Sequence, residues 1–182
     1  MDIFNSKKKL KIQIQVFYKK YNLSRHKEFL KINKTKLPIV FFDIDNTLAN
    51  TWPLLQKRKK FNIFRYLQIL SFPKVVNLCN EYKLNQHHVF ILSARPLRSW
   101  FFTYLWLNLK GIKFDKLYLV SSPKDKINFF KTVSNLEIIC YDDLSFNHEN
   151  NDLKLYEDII KEIKLLPNVR YFGYEFLQSI QK

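Results

Sequence analysis

A chain of 182 residues that is 47% hydrophobic and 16% aromatic is long enough to bury one substantial core and too apolar to remain unfolded. Two glycines and six prolines exclude a fibrous or loop-dominated design, and no run approaches the ~20 apolar residues of a membrane span. The formal net charge of +15 is uneven: residues 1–37 hold eleven Lys/Arg against two acids, and residues 57–65, "KRKKFNIFR", hold five cations and no acid.

Near the N-terminus, Leu10, Ile14, Phe17 and Tyr21 recur at helical spacing among lysines. That pattern predicts a helix over 8–31 and a basic helical extension over 1–37, ahead of a core over 38–182. The opening "MDIFNSKKKLKIQIQ" has no apolar stretch of signal-peptide length, so a cytoplasmic setting is expected. Cys79 and Cys140 fall in apolar segments without metal-ligand spacing and are expected to be reduced core residues. Ile39–Phe42 predicts the first strand, residues 53–70 one or two helices, and Pro73 the start of a helix running to about Tyr82. "HHVFIL" (87–92) is the second strand, and 97–110 a helix stopped at Gly111. "KLYLV" (116–120) is the third strand, and 125–133 a helix. "LEIICY" (136–141) is the fourth strand, 153–165 a helix ahead of Pro167, and "VRYFGY" (169–174) the fifth strand. Strands alternating with helices predict an α/β fold: a three-layer Rossmann-like sandwich with a central parallel five-stranded sheet and helices on both faces.

Ligands of such sheets gather beyond the carboxyl ends of the strands. Asp43 and Asp45 follow the first strand, Ser93 ends the second, and Asp142 and Asp143 follow the fourth. Four carboxylates at one edge repel each other unless a cation lies among them. Oxygen ligands with no His or Cys between them suit Mg²⁺. Thr47 and Ser93 can donate to phosphate oxygens, and Lys126 or Lys124 of "SSPKDKINFF" can offset charge as a phosphoryl group is transferred. Lys126 is preferred, because Phe129 and Phe130 can anchor its helix.

"DIDNT" after an apolar strand, "FILSAR", the lysine of "KDK" and "IICYDD" occur in order, each at a strand end. In this the chain resembles the haloacid dehalogenase superfamily, over about residues 38–174. The resemblance implies Asp43 as nucleophile and Asp45 as general acid and base, with an aspartyl-phosphate intermediate. It implies Mg²⁺ held by Asp43, the main-chain carbonyl of Asp45, and Asp142, with Asp143 binding directly or through water. Thr47, Ser93 and Lys126 (or Lys124) would hold the phosphoryl group. Members that cleave carbon–halogen bonds lack the acid at position 45, so the resemblance is to a phosphatase. Asn46 stands where the motif commonly has glycine.

Around this core, Asn50 and Trp52 in a flap or mini-cap over about 50–72, and Arg95 and Arg98 after Ser93, are candidate substrate contacts. Asn147 is a candidate support for the metal shell, whereas His87 and His88 precede their strand, away from the site edge. The gaps between motifs leave room for a minimal cap at most, so an open site is expected, suited to a large substrate or covered by a partner. The expected function is Mg²⁺-dependent phosphomonoester hydrolysis. "LSARP" and the paired aspartates also resemble the phosphatase half of polynucleotide kinase-phosphatases, without a kinase phosphate-binding loop. A 3′-phosphate polynucleotide-end phosphatase, with segments 1–37 and 57–65 tracking the backbone of a nucleic acid or other polyanion, is therefore an alternative. Others are a phosphotransferase, and a non-catalytic nucleic-acid or anionic-partner binding protein on the same scaffold.

Overall fold

Ile39–Phe42 has no polar residue on either side of its pleat, as a strand covered on both faces requires, and it forms β1, buried throughout. The structure is a computed structural model that describes residues 37–53, 67–148 and 152–181, all within the compact unit Lys36–Lys182. The expected helix at 8–31, nearly all of the 1–37 extension, most of the 50–72 insertion and the basic segment 57–65 lie outside the described residues.

After β1 come β2 (Ala49–Asn50), β3 (Leu70–Ser71), α1 (Pro73–Leu84) and β4 (Val89–Ser93). A 3₁₀ turn at Leu97–Ser99 leads into α2 (Trp100–Leu109), then β5 (Lys116–Leu119), α3 (Pro123–Thr132) and β6 (Ile138–Tyr141). The described chain ends with β7 (Ser145–Phe146), β8 (Lys154–Leu155), α4 (Glu157–Lys164), β9 (Val169–Phe172) and α5 (Tyr174–Gln181). Five strands form one all-parallel sheet in the order β5-β4-β1-β6-β9. This is the Rossmann-like α/β sandwich expected from the alternation.

Alternate residues of β1 serve the two faces. Val40 and Phe42 pack with Val75, Val76 and Cys79 of α1, Trp106 and Leu107 of α2, and Leu177 of α5. Phe41 points the other way, its ring 5.7 and 5.5 Å from those of Phe129 and Phe130 on α3, and α4 packs against α3 and β9. Both cysteines are buried and free. Gly111, at φ +66°, ends the α2 segment in the left-handed conformation that glycine adopts without strain. No described helix is long and apolar enough to cross a membrane.

Three expectations are corrected. The helix expected at 153–165 begins only at Glu157, because Lys154 and Leu155 pair antiparallel with Phe146 and Ser145. Leu70, the last residue of the helical stretch expected over 53–70, instead pairs with Asn50, and Ser71 with Ala49. The fifth strand stops at Phe172: a Cβ on Gly173 would lie 2.7 Å from the Tyr171 ring, and α5, not anticipated at all, starts at the next residue.

The register fixes the edge where the site forms. Phe42 pairs with Ile91 of β4 and with Tyr141 of β6, so Asp43 and Asp142 leave adjacent strands at the same level. Asp43 N still donates to Tyr141 O at 2.9 Å, and Asp142 N to Phe172 O at 3.1 Å. The sheet therefore dictates where both backbones end.

Candidate active site

Asp43, Asp142 and Asp143 each offer a carboxylate oxygen within 4.8 Å of the others', and all three residues are buried. Into this cluster reaches Lys126, from the first turn of α3. Its ammonium donates to Asp43 Oδ1 at 2.9 Å and to Asp142 Oδ2 at 2.6 Å. Lys124 is exposed on the same helix, so the structure separates the two lysines and brings Lys126 to the carboxylates. Asp142 is further held by the Leu144 N–H at 3.2 Å, and its main-chain carbonyl accepts the Tyr171 hydroxyl at 2.7 Å.

Three buried carboxylates around one ammonium carry an excess of negative charge. Burial pushes the pKa of Asp142 up to about 7, against the opposing pull of Lys126. Asp143 is driven well above the usual carboxylate range by burial and by the charges of Asp142 and Asp43. Burial draws Lys126 down, but Asp142 and Asp43 outweigh it and hold the lysine protonated. Carboxylates that resist ionising for want of positive charge are suited to a hard divalent cation, which takes oxygen ligands and supplies the missing charge. The donor set thus fits Mg²⁺.

The side chain of Asp45 turns elsewhere. Arg95 grips it with two parallel hydrogen bonds, Nε to Oδ2 at 2.7 Å and Nη2 to Oδ1 at 2.6 Å, and braces itself on Thr103 Oγ1 of α2 at 3.3 Å. Arg95 is buried, whereas the Asp45 side chain is 40% exposed. Partial burial pulls the Asp45 pKa up, but the charge and hydrogen bonds of Arg95 win and bring it below the usual value. Arg95, expected near the substrate, is engaged here with Asp45. Arg98 lies exposed on the 3₁₀ turn.

Thr47 is fully buried, accepting the Asp143 N–H at 3.1 Å and donating to Asp143 Oδ1 at 3.4 Å. Its contacts therefore serve the carboxylate cluster. Ser93 is 1% exposed, and its hydroxyl has no hydrogen-bond partner among the described residues. Such an orphan costs free energy unless something outside the chain accepts from it.

Asn46 sits at φ +56°, which Asn tolerates better than most residues, so it can occupy the place of a glycine. Its side chain accepts the Thr51 hydroxyl at 2.8 Å and presents Nδ2 to His148 Nε2 at 2.9 Å. Asn50 is half-buried on β2, and Trp52 stands edge-on to the His148 ring, centroids 4.5 Å apart. Asn147, expected to support the metal shell, adopts φ +64°. Its neighbour His148 is the residue that sequence reasoning missed. It is buried, with Nε2 also 2.6 Å from Ser145 Oγ, and Ser145 donates to Asp143 Oδ2. Burial keeps the imidazole pKa below its usual value. The signal available was slight: a lone histidine five residues after the paired aspartates.

Fold and site together define an α/β protein with a buried acidic cluster where the first and fourth sheet strands end side by side. No protein-family model matches the chain, and no relative was found among curated proteins. The fold is shared with solved structures, among them two chains of one complex. A chain of the Pnkp1/Rnl/Hen1 complex matches at TM-score 0.54 and 21% identity, over 78% of this chain and 48% of that one. A chain of the Pnkp1/Rnl/Hen1 RNA repair complex matches at TM-score 0.54 and 21% identity, over 78% of this chain and 44% of that one. This chain thus spans about half the length of the chains it matches.

Proposed function

We propose that this chain is a Mg²⁺-dependent phosphomonoesterase of the haloacid dehalogenase type, acting on the phosphorylated end of a polynucleotide. The observation that carries the phosphatase reading is the buried Asp43–Lys126–Asp142 contact beside Asp143 at the sheet edge. The nucleic-acid part is supported by the basic segments 1–37 and 57–65 and by the likeness to chains of an RNA repair complex.

In this reading a carboxylate oxygen of Asp43 attacks phosphorus while the bond to the leaving oxygen breaks, giving an aspartyl-phosphate. Asp45 protonates the leaving oxygen, then accepts a proton from the water that attacks the same phosphorus and releases Asp43. Arg95 holds Asp45 ionised, as the second step needs. A phosphate dianion arriving beside the guanidinium offsets its charge and lets the carboxyl rise toward the range where it can donate. Lys126 offsets the charge on Asp43 and on the phosphoryl oxygens, and the Ser93 hydroxyl gains the acceptor it lacks. Mg²⁺, held by Asp43, Asp142, Asp143 and the main chain at Asp45, would neutralise phosphoryl charge and orient the group in line.

The test is phosphate release from a 3′-phosphorylated oligonucleotide, mononucleotides and p-nitrophenyl phosphate, with and without Mg²⁺, for the wild type and Asp43→Asn. Metal-dependent release that falls by about 10³-fold or more in Asp43→Asn is expected. So is a kcat/KM for the oligonucleotide that exceeds the mononucleotide value and declines with salt. No metal-dependent release from any of these substrates would refute the phosphatase reading. Equal, salt-independent rates would refute the polynucleotide part.

A further inference from the structure

We propose that His148 is a positioning residue of this site, tying the metal-side carboxylate Asp143 and the loop of Asp43 and Asp45 to the indole of Trp52. The inference rests on the phosphatase reading for its meaning, but on contacts alone for its geometry. One ring nitrogen, Nε2, is the meeting point: Ser145 Oγ lies 2.6 Å away and Asn46 Nδ2 2.9 Å away. Ser145 passes the contact on to Asp143 Oδ2, while Thr47 holds Asp143 Oδ1 at 3.4 Å. Both oxygens of the carboxylate are therefore fixed from outside the cluster. Asn46 lies between Asp45 and Thr47, so its contact with the ring fastens the first acidic loop to the segment just after β7, 102 residues away.

The ring is also oriented from its face. Trp52, two residues past β2, stands at 85° to the imidazole with centroids 4.5 Å apart. His148 Nδ1 is buried with no partner among the described residues. A histidine kept only to fill space would gain nothing from that orphan, and an apolar side chain would fill the same volume without its cost. What histidine offers here is an Nε2–H group: with the Ser145 hydroxyl donating to Asp143, Nε2 donates to Ser145 Oγ, and Asn46 packs against the same nitrogen. Partners of metal ligands act in this way, orienting the ligand without touching the ion.

Two substitutions separate positioning from packing. Gln places its terminal amide near the position of Nε2, whereas Asn places its amide near that of Nδ1. Mg²⁺ is titrated calorimetrically into the full chain at pH 8, with phosphate release followed in parallel. His148→Asn is expected to weaken Mg²⁺ binding about tenfold or more, whereas His148→Gln stays within about threefold of the wild type. Trp52→Ala weakens Mg²⁺ binding in the wild type and adds nothing in the His148→Asn background, as coupled neighbours do. Equal Mg²⁺ affinity in all three chains overturns the proposal, and so does equal weakening by Asn and Gln, which would make the ring a packing element. Mg²⁺ binding by a wild type that releases no phosphate would sink the phosphatase reading, leaving the titration to decide the role of His148. A wild type that binds no Mg²⁺ overturns both.

Discussion

Replacing Lys126 by Met keeps the reach of the side chain and removes its charge. The ammonium lies 2.9 Å from Asp43 Oδ1 and 2.6 Å from Asp142 Oδ2. At an effective dielectric of about 20, each such pair is worth roughly 6 kcal/mol before desolvation. Taking these ions out of water consumes much of that attraction, so the figure to expect is the measured cost of orphaning buried charge, about 3–5 kcal/mol. At about 2–4 °C per kcal/mol for a chain of this size, Lys126→Met should melt about 6–20 °C below the wild type at pH 8 in EDTA. Because the penalty is electrostatic, two treatments should relieve it. At pH 5 the carboxyls that burial has pushed up, Asp142 to about 7 even beside its lysine, carry protons, and the gap should shrink by about half or more. Millimolar Mg²⁺ at pH 8 should narrow it too, since a bound cation replaces the missing charge and stabilises by mass action. Differential scanning fluorimetry of both proteins across pH, with and without Mg²⁺, reads all of this. A melting gap that is the same at pH 5 and pH 8 and indifferent to Mg²⁺ would refute the reasoning and make Lys126 a packing residue.

Three further outcomes follow from the same geometry. Ser93→Ala removes a hydroxyl with no partner among the described residues, so thermal melting should show unchanged or slightly higher stability. If phosphate is its missing acceptor, kcat/KM should nevertheless fall about 10-fold or more, the worth of a hydrogen bond to a charged group. Arg95→Gln releases Asp45 from the charge that lowers its pKa, so the pH–rate profile should move to higher pH, and superimposable profiles would contradict the assignment. Asp142 and Asp143 have pKa values raised by burial, Asp142 from 3.8 to about 7. Groups raised in the folded state bind more protons folded than unfolded; what they contribute is fully present below about pH 4 and lost as pH rises through about 7. Mg²⁺ should therefore raise the wild-type Tm more at pH 8 than at pH 5, and an equal shift at both would count against these ligands.

Much of this was legible because strand ends announce themselves. A short unbroken apolar run of β-prone residues such as Ile39–Phe42 suits a covered strand, and a carboxylate that follows such a strand leaves at the sheet edge. That logic brought Asp43, Asp142 and Ser93 to one place, and the anchoring of α3 by Phe129 and Phe130 singled out Lys126 over Lys124. The two-residue strands β2, β3, β7 and β8 were not legible, since no periodicity can be read from two residues. The sequence extends the fifth strand to Tyr174 because a β-prone aromatic follows Gly173, whose close approach to the Tyr171 ring exists only in three dimensions. From its place after Ser93, Arg95 is expected at the substrate, because sequence cannot show that Asp45 turns back to meet it. His148 was overlooked for a similar reason: its importance lies in Asn46 and Trp52, which are distant in the chain and adjacent in space.

The order β5-β4-β1-β6-β9 also governs how the molecule comes into being. β1 pairs with no strand near it in sequence: Phe42 must find Ile91 on one side and Tyr141 on the other. Parallel pairings across such separations close long loops before contacts repay the lost entropy, and chains dominated by them fold slowly. Asp43 meets Asp142 only once the second of these pairings is complete, so the chain has no such cation site until β1 and β6 have joined. A cation bound there therefore stabilises the paired strands and not the open chain, acting as a latch on the native state.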